Sequence, residues 1–366
     1  MYRLIRNQYR LYRSAGGQLV RLFESSVKLA LSDMRETKLK NKAYQNVLQD
    51  ALRKEAVVKE LEESIFGQDD IKITFAAAIR YIGNINCRLP LFLNSIIENT
   101  DDLKRVEVLL MIDSDDDIEY FLRIKRQYGN RFRLCIYVSP QRFGYEKLHL
   151  YDKILFKKIA PKTLMIGDYS DDVRITRRGY DTQLIEIDNR FPDKIYFIHT
   201  RHTNRDEFLG DVSKETYRLY WMMQAHGPLS FFPIFSRRVL EVMEDALQEL
   251  PEAERANWSP FANAWICDCY IDAISTMLRA KGYNRILQVD MMRMHHYNLF
   301  VSYQHNRDGN NLSASERALI NLTGSQTRKH IDTIATYLAN AIDQKAAQAK
   351  SQIMERNLAR KARVAN

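Results

Sequence analysis

The strongest constraint on the fold is an alternation of short apolar runs with amphipathic stretches that starts at Ile71. The apolar runs at 71–79, 106–112, 132–138 and 164–166 have the length of buried strands, and helical periodicity fills the stretches between them. Four β–α steps of this length predict an α/β fold with a doubly wound, mostly parallel sheet. In such a sheet the parallel strands end at one edge, and ligands bind there.

Two acidic clusters follow predicted strands at that edge. The first, Asp113-Ser-Asp-Asp-Asp117, comes directly after the second strand. The second comprises Asp168, Asp171 and Asp172 and lies in a turn between the fourth strand and a further short one. Carboxylates held as close as those of the second cluster are costly unless a cation or a hydrogen-bond network neutralises them, so a divalent metal site is predicted there. The alternative is a solvated acidic turn that joins two strands.

The composition is that of a globular chain with a positive net charge. Its 366 residues, 45% of them hydrophobic, suffice for one large domain or two ordinary ones, and the charge of +9 favours anionic partners. No apolar run reaches the roughly 18 residues of a membrane-spanning helix, and the first residues lack the apolar core of a signal peptide. We therefore expect a cytoplasmic protein. The four cysteines show no zinc-finger spacing and fit buried free thiols.

The sequence divides into three predicted parts. Residues 1–68 form a helical amino-terminal extension, 69–300 the α/β domain and 301–366 a helical, basic carboxyl-terminal extension. An amphipathic helix at 19–31 packs on the protein itself or, alternatively, lies on a membrane surface. An apolar stripe at 331–342 has the spacing to pack on the amino-terminal helices.

Five short motifs in the α/β part resemble the nucleotide-sugar half of glycosyltransferases with the GT-A fold, the family-2-like group in particular. The resemblance covers roughly residues 71–298, and the motifs occur in the family's order. They are ITFAAAIR (73–80), NSIIENT (94–100), VLLMIDSDDD (108–117), Gly144-Tyr145 at the start of a helix, and YSDDV (169–173). The resemblance implies a GT-A-type sheet with helical extensions at both ends, in which residues 180–188 continue as the family's edge element.

The resemblance also implies a site for a nucleoside-diphosphate sugar, with a UDP-sugar favoured, and for a divalent metal, Mn²⁺ or Mg²⁺. Asp172 is the implied metal ligand, together with His295 or His296, which point to opposite sides if they lie in a strand. Ser170 replaces the first Asp of the family's Asp-x-Asp motif, so the metal shell has one carboxylate fewer. The residues implied to bind the nucleotide sugar are Ala78, Arg80, Asp113, Asp115, Gly144, Tyr145 and Asp171.

A catalytic carboxylate is implied near the start of a late helix. A sugar hydroxyl is a poor nucleophile at neutral pH, so an inverting transferase needs a carboxylate within hydrogen-bond reach of it. Asp268 matches the family's position best, and Asp272, one helical turn later on the same face, is its rival. Either residue could instead cap a helix or form a salt bridge. Inversion is expected by family analogy alone.

The sequence therefore predicts a metal-dependent glycosyltransferase that moves a sugar onto an acceptor hydroxyl of a surface polysaccharide or a lipid-linked glycan. A nucleotidyltransferase is a second interpretation, but the sequence lacks the glycine-rich, basic motif that such an enzyme needs in its first β–α loop. The basic termini leave two alternatives open: a transferase acting on modified DNA, and a non-catalytic nucleic-acid-binding or scaffold protein on a degenerate GT-A fold. Peripheral contact with a membrane is a further expectation.

Overall fold

The fold is built on one sheet of eight strands with helices on both faces, seen in a computed structural model of the chain. The structure describes residues 55–82, 87–139, 141–142, 148–171, 173–202, 232–249, 251–252, 267–296 and 325–365. The strands are β1 (Ile73–Ala78), β2 (Val106–Ile112), β3 (Arg133–Val138), β4 (Met165–Tyr169), β5 (Val173–Ile175), β6 (Phe197–His202), β7 (Ile234–Ser236) and β8 (Ile286–His296). The helices are α1 (residues 55–62), α2 (Leu89–Asn99), α3 (Ile118–Tyr128), α4 (Leu148–Leu155), α5 (Tyr180–Asn189), α6 (Arg237–Gln248), α7 (Cys267–Ala280) and α8 (Ser325–Ala365).

The strands lie in the order β3-β2-β1-β4-β7-β6-β8-β5. The first four are parallel to one another, and β6 is parallel to β8, whereas β7 and β5 run in the opposite direction. The predicted α/β fold with a mostly parallel sheet is thereby confirmed. We call the edge at which β1, β2 and β4 end the carboxyl edge, and the edge at which they begin the amino edge.

Two hydrophobic cores lie on the two faces of the sheet, because successive residues of each strand point to opposite faces. Phe75 and Val108 pack into the core formed with α2, α3 and α5. Their neighbours Ala76 and Leu109 pack into the core formed with α4, α6, α7 and α8. All seven residues of β2 are buried, as expected for a central parallel strand covered on both sides. Helices on both faces are what a doubly wound sheet requires.

The interpretation of residues 180–188 as an edge element is wrong, because this stretch forms helix α5. Leu184 and Ile187 are buried at helical spacing, which places one face of α5 against the sheet. Gly179, with φ at 74°, lies in the left-handed region where the chain enters the helix. The buried Asp181 carboxylate fixes the helix start by accepting the backbone N–H groups of Asp101 and Asp102 at 2.9 and 3.1 Å.

The predicted apolar stripe of α8 is buried, and it packs against α6 and α7. Of the amino-terminal helices predicted as its partner, within residues 1–68, α1 is described, and its Leu61 packs into the core on the other face of the sheet, so the prediction is wrong for this helix. Residues 1–54 lie outside the described part of the chain. Past Ile342 the helix leaves the core, and residues 343–355 are exposed, including Ile353 and Met354 at 57% and 65% exposure. No helix among the described residues is both long and apolar enough to cross a membrane.

A buried ion pair joins the first three strands near the amino edge. Thr74, Glu107 and Arg133 lie side by side on β1, β2 and β3. The fully buried Glu107 carboxylate accepts hydrogen bonds from the Thr74 hydroxyl at 2.6 Å, the Ala160 N–H at 2.8 Å and the Arg133 Nε at 2.9 Å. Arg133 also donates to the Phe66 carbonyl at 3.0 Å. Every charged group of the network is therefore paired and hydrogen-bonded, which is what burial of a charge demands.

Glu107→Gln should lower the free energy of unfolding by about 3–5 kcal/mol, because it leaves the buried Arg133 guanidinium without a counter-charge. Urea unfolding measures the change. The matched control is Glu60→Gln, which removes a carboxylate from an exposed ion pair with Arg126 at 2.7 Å and should change stability little. Equal losses in the two variants would contradict a structural role for the buried pair.

Candidate functional site

The carboxyl edge brings Arg80 together with two acids from the first acidic cluster. Arg80 follows β1 by two residues, and Asp113 and Asp115 follow β2. The Arg80 Nη1 donates to Asp113 at 2.8 Å and to Asp115 at 3.1 Å, and its Nη2 donates to Asp115 at 3.3 Å. These three residues, all predicted from the sequence to bind the nucleotide sugar, therefore form one cluster.

One guanidinium thus pairs with two carboxylates. The hydrogen bond from Arg80 holds the pKa of Asp115 below its usual value, and the same bond raises the pKa of Arg80. Asp113 is buried and also accepts a hydrogen bond from the hydroxyl of Tyr151 on α4. Arg142 lies 3.9 Å from Asp115. This acidic cluster is accordingly neutralised by protein cations and hydrogen bonds, without calling for a metal.

The other two acids of the first cluster accept hydrogen bonds from backbone N–H groups. Asp116, which is buried, accepts the N–H groups of Tyr81 and Ile82 at 2.9 and 2.8 Å, so it fixes the loop that carries Arg80. Asp117 caps α3 by accepting the Tyr120 N–H at 3.0 Å. The capping role has a sequence signal, an Asp directly before a helical pattern, whereas the role of Asp116 has none, because its partners come from a different β–α loop.

An aromatic pair that sequence analysis did not single out lies beside this cluster. The rings of Tyr81 and Tyr120 are stacked, with centroids 3.7 Å apart and planes 10° from parallel. Tyr81 is 37% exposed, so part of its ring surface is open to a ligand. The Sγ of Cys87 is 3.7 Å from the Tyr120 hydroxyl, and burial raises the pKa of this thiol to about 11, which keeps it protonated.

The acids of the second cluster lie in different environments. Asp171 is buried, and its carboxylate accepts the Arg88 N–H at 3.1 Å, which ties the turn after β4 to the start of α2. Ser170 donates to the same carboxylate at 3.4 Å. Asp172, predicted to bind the metal, lies outside the described residues, directly before β5.

The backbone brings the predicted histidines to the same turn. β5 pairs with the end of β8 in antiparallel register, with Val173 opposite His296 and Arg174 opposite His295. Since paired residues in antiparallel strands have Cα atoms about 4.5–5.5 Å apart, His296 lies next to the residue that follows Asp172. The side chains of both histidines lie outside the described part. Among the side chains that are described, no group of three or more His, Cys, Asp or Glu is arranged to hold a metal ion.

The remaining predicted residues are placed only in part. Ala78 is the last residue of β1, half-buried at the carboxyl edge. Gly144 and Tyr145 lie outside the described residues. Asp268 is the second residue of α7 and Asp272 follows one turn later; the backbone of both is described, but not their side chains. Because α7 leads into the amino-edge start of β8, its first turn lies toward the carboxyl edge.

A buried acid that sequence analysis missed lies on α4, below the edge. Burial raises the pKa of Asp152 well above its usual range, and the nearby negative charge of Asp168 on β4 raises it further. Asp152 is only 4% exposed, so its neutral, protonated form is favoured. In the linear sequence Asp152 stands between Tyr151 and Lys153 within an amphipathic helix, and nothing there indicates that it faces another acid.

Asp152→Asn should remove a pH dependence of stability. Since the pKa of Asp152 is raised in the folded protein above the value of about 3.9 in an unfolded chain, the folded state binds this proton more tightly. The free energy of unfolding of the wild type therefore falls as pH rises from about 4 through the raised pKa. Urea unfolding at about pH 5 and about pH 8 should show the Asn variant gaining stability relative to wild type at the higher pH.

The control for this experiment is Asp69→Asn, which changes an acid that is 89% exposed. Its stability difference from wild type should be the same at both pH values. A constant difference for Asp152→Asn as well would show that Asp152 is not desolvated in the folded protein.

No protein-family model matches this chain, and no curated protein matches it. Solved structures with a similar shape do exist. S. aureus TarS 1–349 in complex with UDP is 13% identical, with 62% of this chain and 60% of that chain covered and a TM-score of 0.40. This chain thus spans less than two thirds of the TarS structure.

Two further similar structures were solved with Mn²⁺. Glucosyl-3-phosphoglycerate synthase from Mycobacterium tuberculosis, in complex with Mn²⁺, UDP and glucosyl-3-phosphoglycerate, is 13% identical, with 72% and 82% of the two chains covered and a TM-score of 0.42. The mannosyltransferase PcManGT from Pyrobaculum calidifontis, with GDP-Man and Mn²⁺, is 13% identical, with 84% and 87% covered and a TM-score of 0.41. Similarity at this level transfers no residue role or activity to this chain.

Proposed function

We propose that this protein is a glycosyltransferase that moves a sugar from a nucleoside-diphosphate sugar to an acceptor hydroxyl. The observation that carries the proposal is the convergence of unlike groups at the carboxyl edge. Arg80 with its two acids, the half-exposed ring of Tyr81, the acidic turn after β4 and the end of β8 all belong to this one edge. Such an edge offers a cation for phosphate, a ring face for a base and carboxylates for a metal.

The base of the donor would lie against the Tyr81 ring and within reach of Asp113. Every nucleobase has a flat π face that stacks on an aromatic ring, so stacking alone does not select among bases. A carboxylate accepts hydrogen bonds and cannot donate them. Asp113 therefore favours bases that present a ring N–H, such as uracil and guanine, over cytosine, whose corresponding nitrogen is an acceptor. This preference disfavours a CDP-sugar and keeps the UDP-sugar implied by the sequence resemblance among the favoured donors.

A divalent metal would be held by Asp172 and one histidine at the end of β8. The donor set fits the expected ions: carboxylate oxygens suit Mg²⁺ and Mn²⁺, and an imidazole in the same set favours Mn²⁺. Few protein ligands are needed, because phosphate oxygens and water complete the octahedron. When bound, the metal supplies positive charge that stabilises the departing diphosphate.

The first test is nucleotide binding followed through thermal stability. UDP should raise the melting temperature of the wild type in the presence of Mn²⁺, since a ligand at a hundred times its dissociation constant stabilises the folded state by roughly 2.7 kcal/mol. Asp172→Ala should lose the Mn²⁺-dependent part of the shift. Asp113→Asn should bind UDP more weakly, because the amide no longer offers a charged acceptor to the base.

Asp69→Asn is the matched control, since it removes an exposed carboxylate that precedes β1, whereas the cluster follows the other end of that strand, and it should keep the full shift. GDP, CDP and TDP tested in parallel identify the base. If no nucleoside diphosphate shifts the melting temperature with or without Mn²⁺, the transferase proposal fails, and binding to nucleic acid becomes the next function to measure.

The acceptor hydroxyl needs a base, and we assign this role to Asp268, with Asp272 as the alternative. A positioned general base contributes about 10²–10⁴-fold to rate. Asp268→Asn should therefore lower kcat by about that factor in a sugar-transfer assay, while the UDP-dependent melting shift stays as in wild type. Asp272→Asn should retain most of its activity. The reverse result, with Asp272→Asn inactive and Asp268→Asn active, would exchange the two assignments.

The finer parts of the proposal come from the sequence resemblance. They are an acceptor on a surface polysaccharide or lipid-linked glycan, inversion at the transferred carbon, and a cytoplasmic location. Inversion is checked by NMR of the product anomer once a donor and an acceptor are known. A retained anomer would overturn the single-displacement role given to the base.

A further inference from the structure

A second concave site lies at the amino edge of the sheet, whereas the candidate nucleotide site lies at the carboxyl edge. It is a cavity of about 460 Å³ between the start of α6, the middle of α8 and the loop that leads into β6. Thr163 and Leu164, directly before β4, form part of its wall, whereas the candidate nucleotide site lies past the other end of β4. The five residues of β4 separate the two sites by roughly 16 Å.

The charges on the cavity wall do not balance. Arg237 and Arg238 share one carboxylate, that of Glu241, at 3.3 and 3.1 Å, so one of these two positive charges has no acid of its own within ion-pair distance. Lys345 on α8 adds a second, because no acid among the described residues lies within ion-pair distance of it. The guanidinium groups keep further N–H donors, since Arg237 uses only Nε toward Glu241 and Nη1 toward the Ala160 carbonyl.

The other charges on the wall are already paired. Lys194 donates to the buried Asp188 carboxylate at 2.6 Å, and the same carboxylate accepts the Tyr196 hydroxyl at 2.8 Å. Asp193 is paired with Arg285 at 2.8 Å. The cavity therefore presents two excess positive charges from three side chains on two helices, an arrangement that favours an anion carrying two negative charges.

We propose that this cavity binds a phosphate monoester. A phosphate group near neutral pH carries about −1.5 to −2 charges and accepts hydrogen bonds on three oxygens, which matches two arginines and a lysine. The volume exceeds what an inorganic phosphate needs and falls within the usual range for small-molecule sites, so the ester carries an organic group of about the size of a sugar. The same phosphate chemistry occurs on soluble sugar phosphates and on the head group of a phosphatidic-acid surface.

This site is distinct from the proposed catalytic function, and neither depends on the other. None of Arg237, Arg238 and Lys345 has a role at the carboxyl edge, and each is partly or largely exposed, so its substitution does not leave a buried charge unpaired. A phosphate monoester held here would bridge α6 and α8, which otherwise meet through apolar contacts and a hydrogen bond from the Tyr337 hydroxyl to Glu249 at the end of α6.

The experiment measures binding to the full chain with two soluble probes and one membrane probe. Inorganic phosphate and glucose 6-phosphate are titrated while ³¹P NMR line widths are recorded, and sedimentation is measured with phosphatidylcholine vesicles that contain phosphatidic acid. Lys345→Gln and Arg238→Gln should each weaken binding about tenfold, the effect of losing one charge-assisted contact. Lys350→Gln, which removes the same charge from the same helix outside the cavity wall, is the matched control and should bind as wild type does.

The outcomes separate the sources of the phosphate. Saturable binding of glucose 6-phosphate that is lost in Lys345→Gln and kept in Lys350→Gln supports a soluble ligand. The same pattern seen only with vesicles supports a lipid head group. The proposal is overturned if no probe binds saturably to the wild type, or if Lys350→Gln weakens binding as much as the two cavity variants do. Unchanged binding in both cavity variants also overturns it, and would assign the phosphate to another surface.

Discussion

The parallel pairing of β1 with β2 on one side and β4 on the other positions most of the described groups of the candidate site. In this register Ala78 lies opposite Met111, and Ala77 lies opposite Tyr169. The loop after β1 is consequently flanked by the loops after β2 and β4. Arg80 meets the acids of the first cluster only because β1 and β2 end at nearly the same height. Distant parts of the sequence meet here through backbone hydrogen bonds, before any side chain contributes.

The ion pair of Glu107 with Arg133 is buried at the amino edge, whereas that of Arg80 with Asp115 is partly exposed at the carboxyl edge. At the amino edge Glu107 and Arg133 are buried and fully hydrogen-bonded, so breaking the pair is costly and the strands are held in register. At the carboxyl edge Arg80 is 28% exposed and Asp115 48% exposed. Exposed ion pairs contribute little to stability, so a phosphate group could replace Asp115 as the partner of Arg80 at small cost. The buried ion pair at the amino edge therefore stabilises the fold, whereas the ion pair of Arg80 at the carboxyl edge can exchange its carboxylate for a ligand.

The sequence predicted the elements whose signals are local. β2 was predicted with its observed bounds from an apolar run, interrupted only by Glu107, that ends in acids, and α3 was predicted from the helical periodicity of the stretch that follows. The stripe on α8 was also predicted, but an apolar face does not say which element covers it, and α6 and α7 do so here. The aromatic pair of Tyr81 and Tyr120, the role of Asp116 and the proximity of Asp152 to Asp168 depend on contacts between separate β–α units. Single-sequence periodicity carries no information on those contacts.

The position of the histidines depends on an irregularity that no strand pattern reveals. Along β6 and β8, Thr200 pairs with Val289, yet the next residue, Arg201, pairs with Arg293, so β8 has three extra residues at this point. Such a bulge bends a strand and increases its twist. Past the bulge, β8 goes on to pair with β5 on its other side, which brings His296 opposite Val173. In a regular β8 the residues paired with β5 would be different ones, so the link between the histidines and the acidic turn follows from the bulge as much as from the His-His sequence.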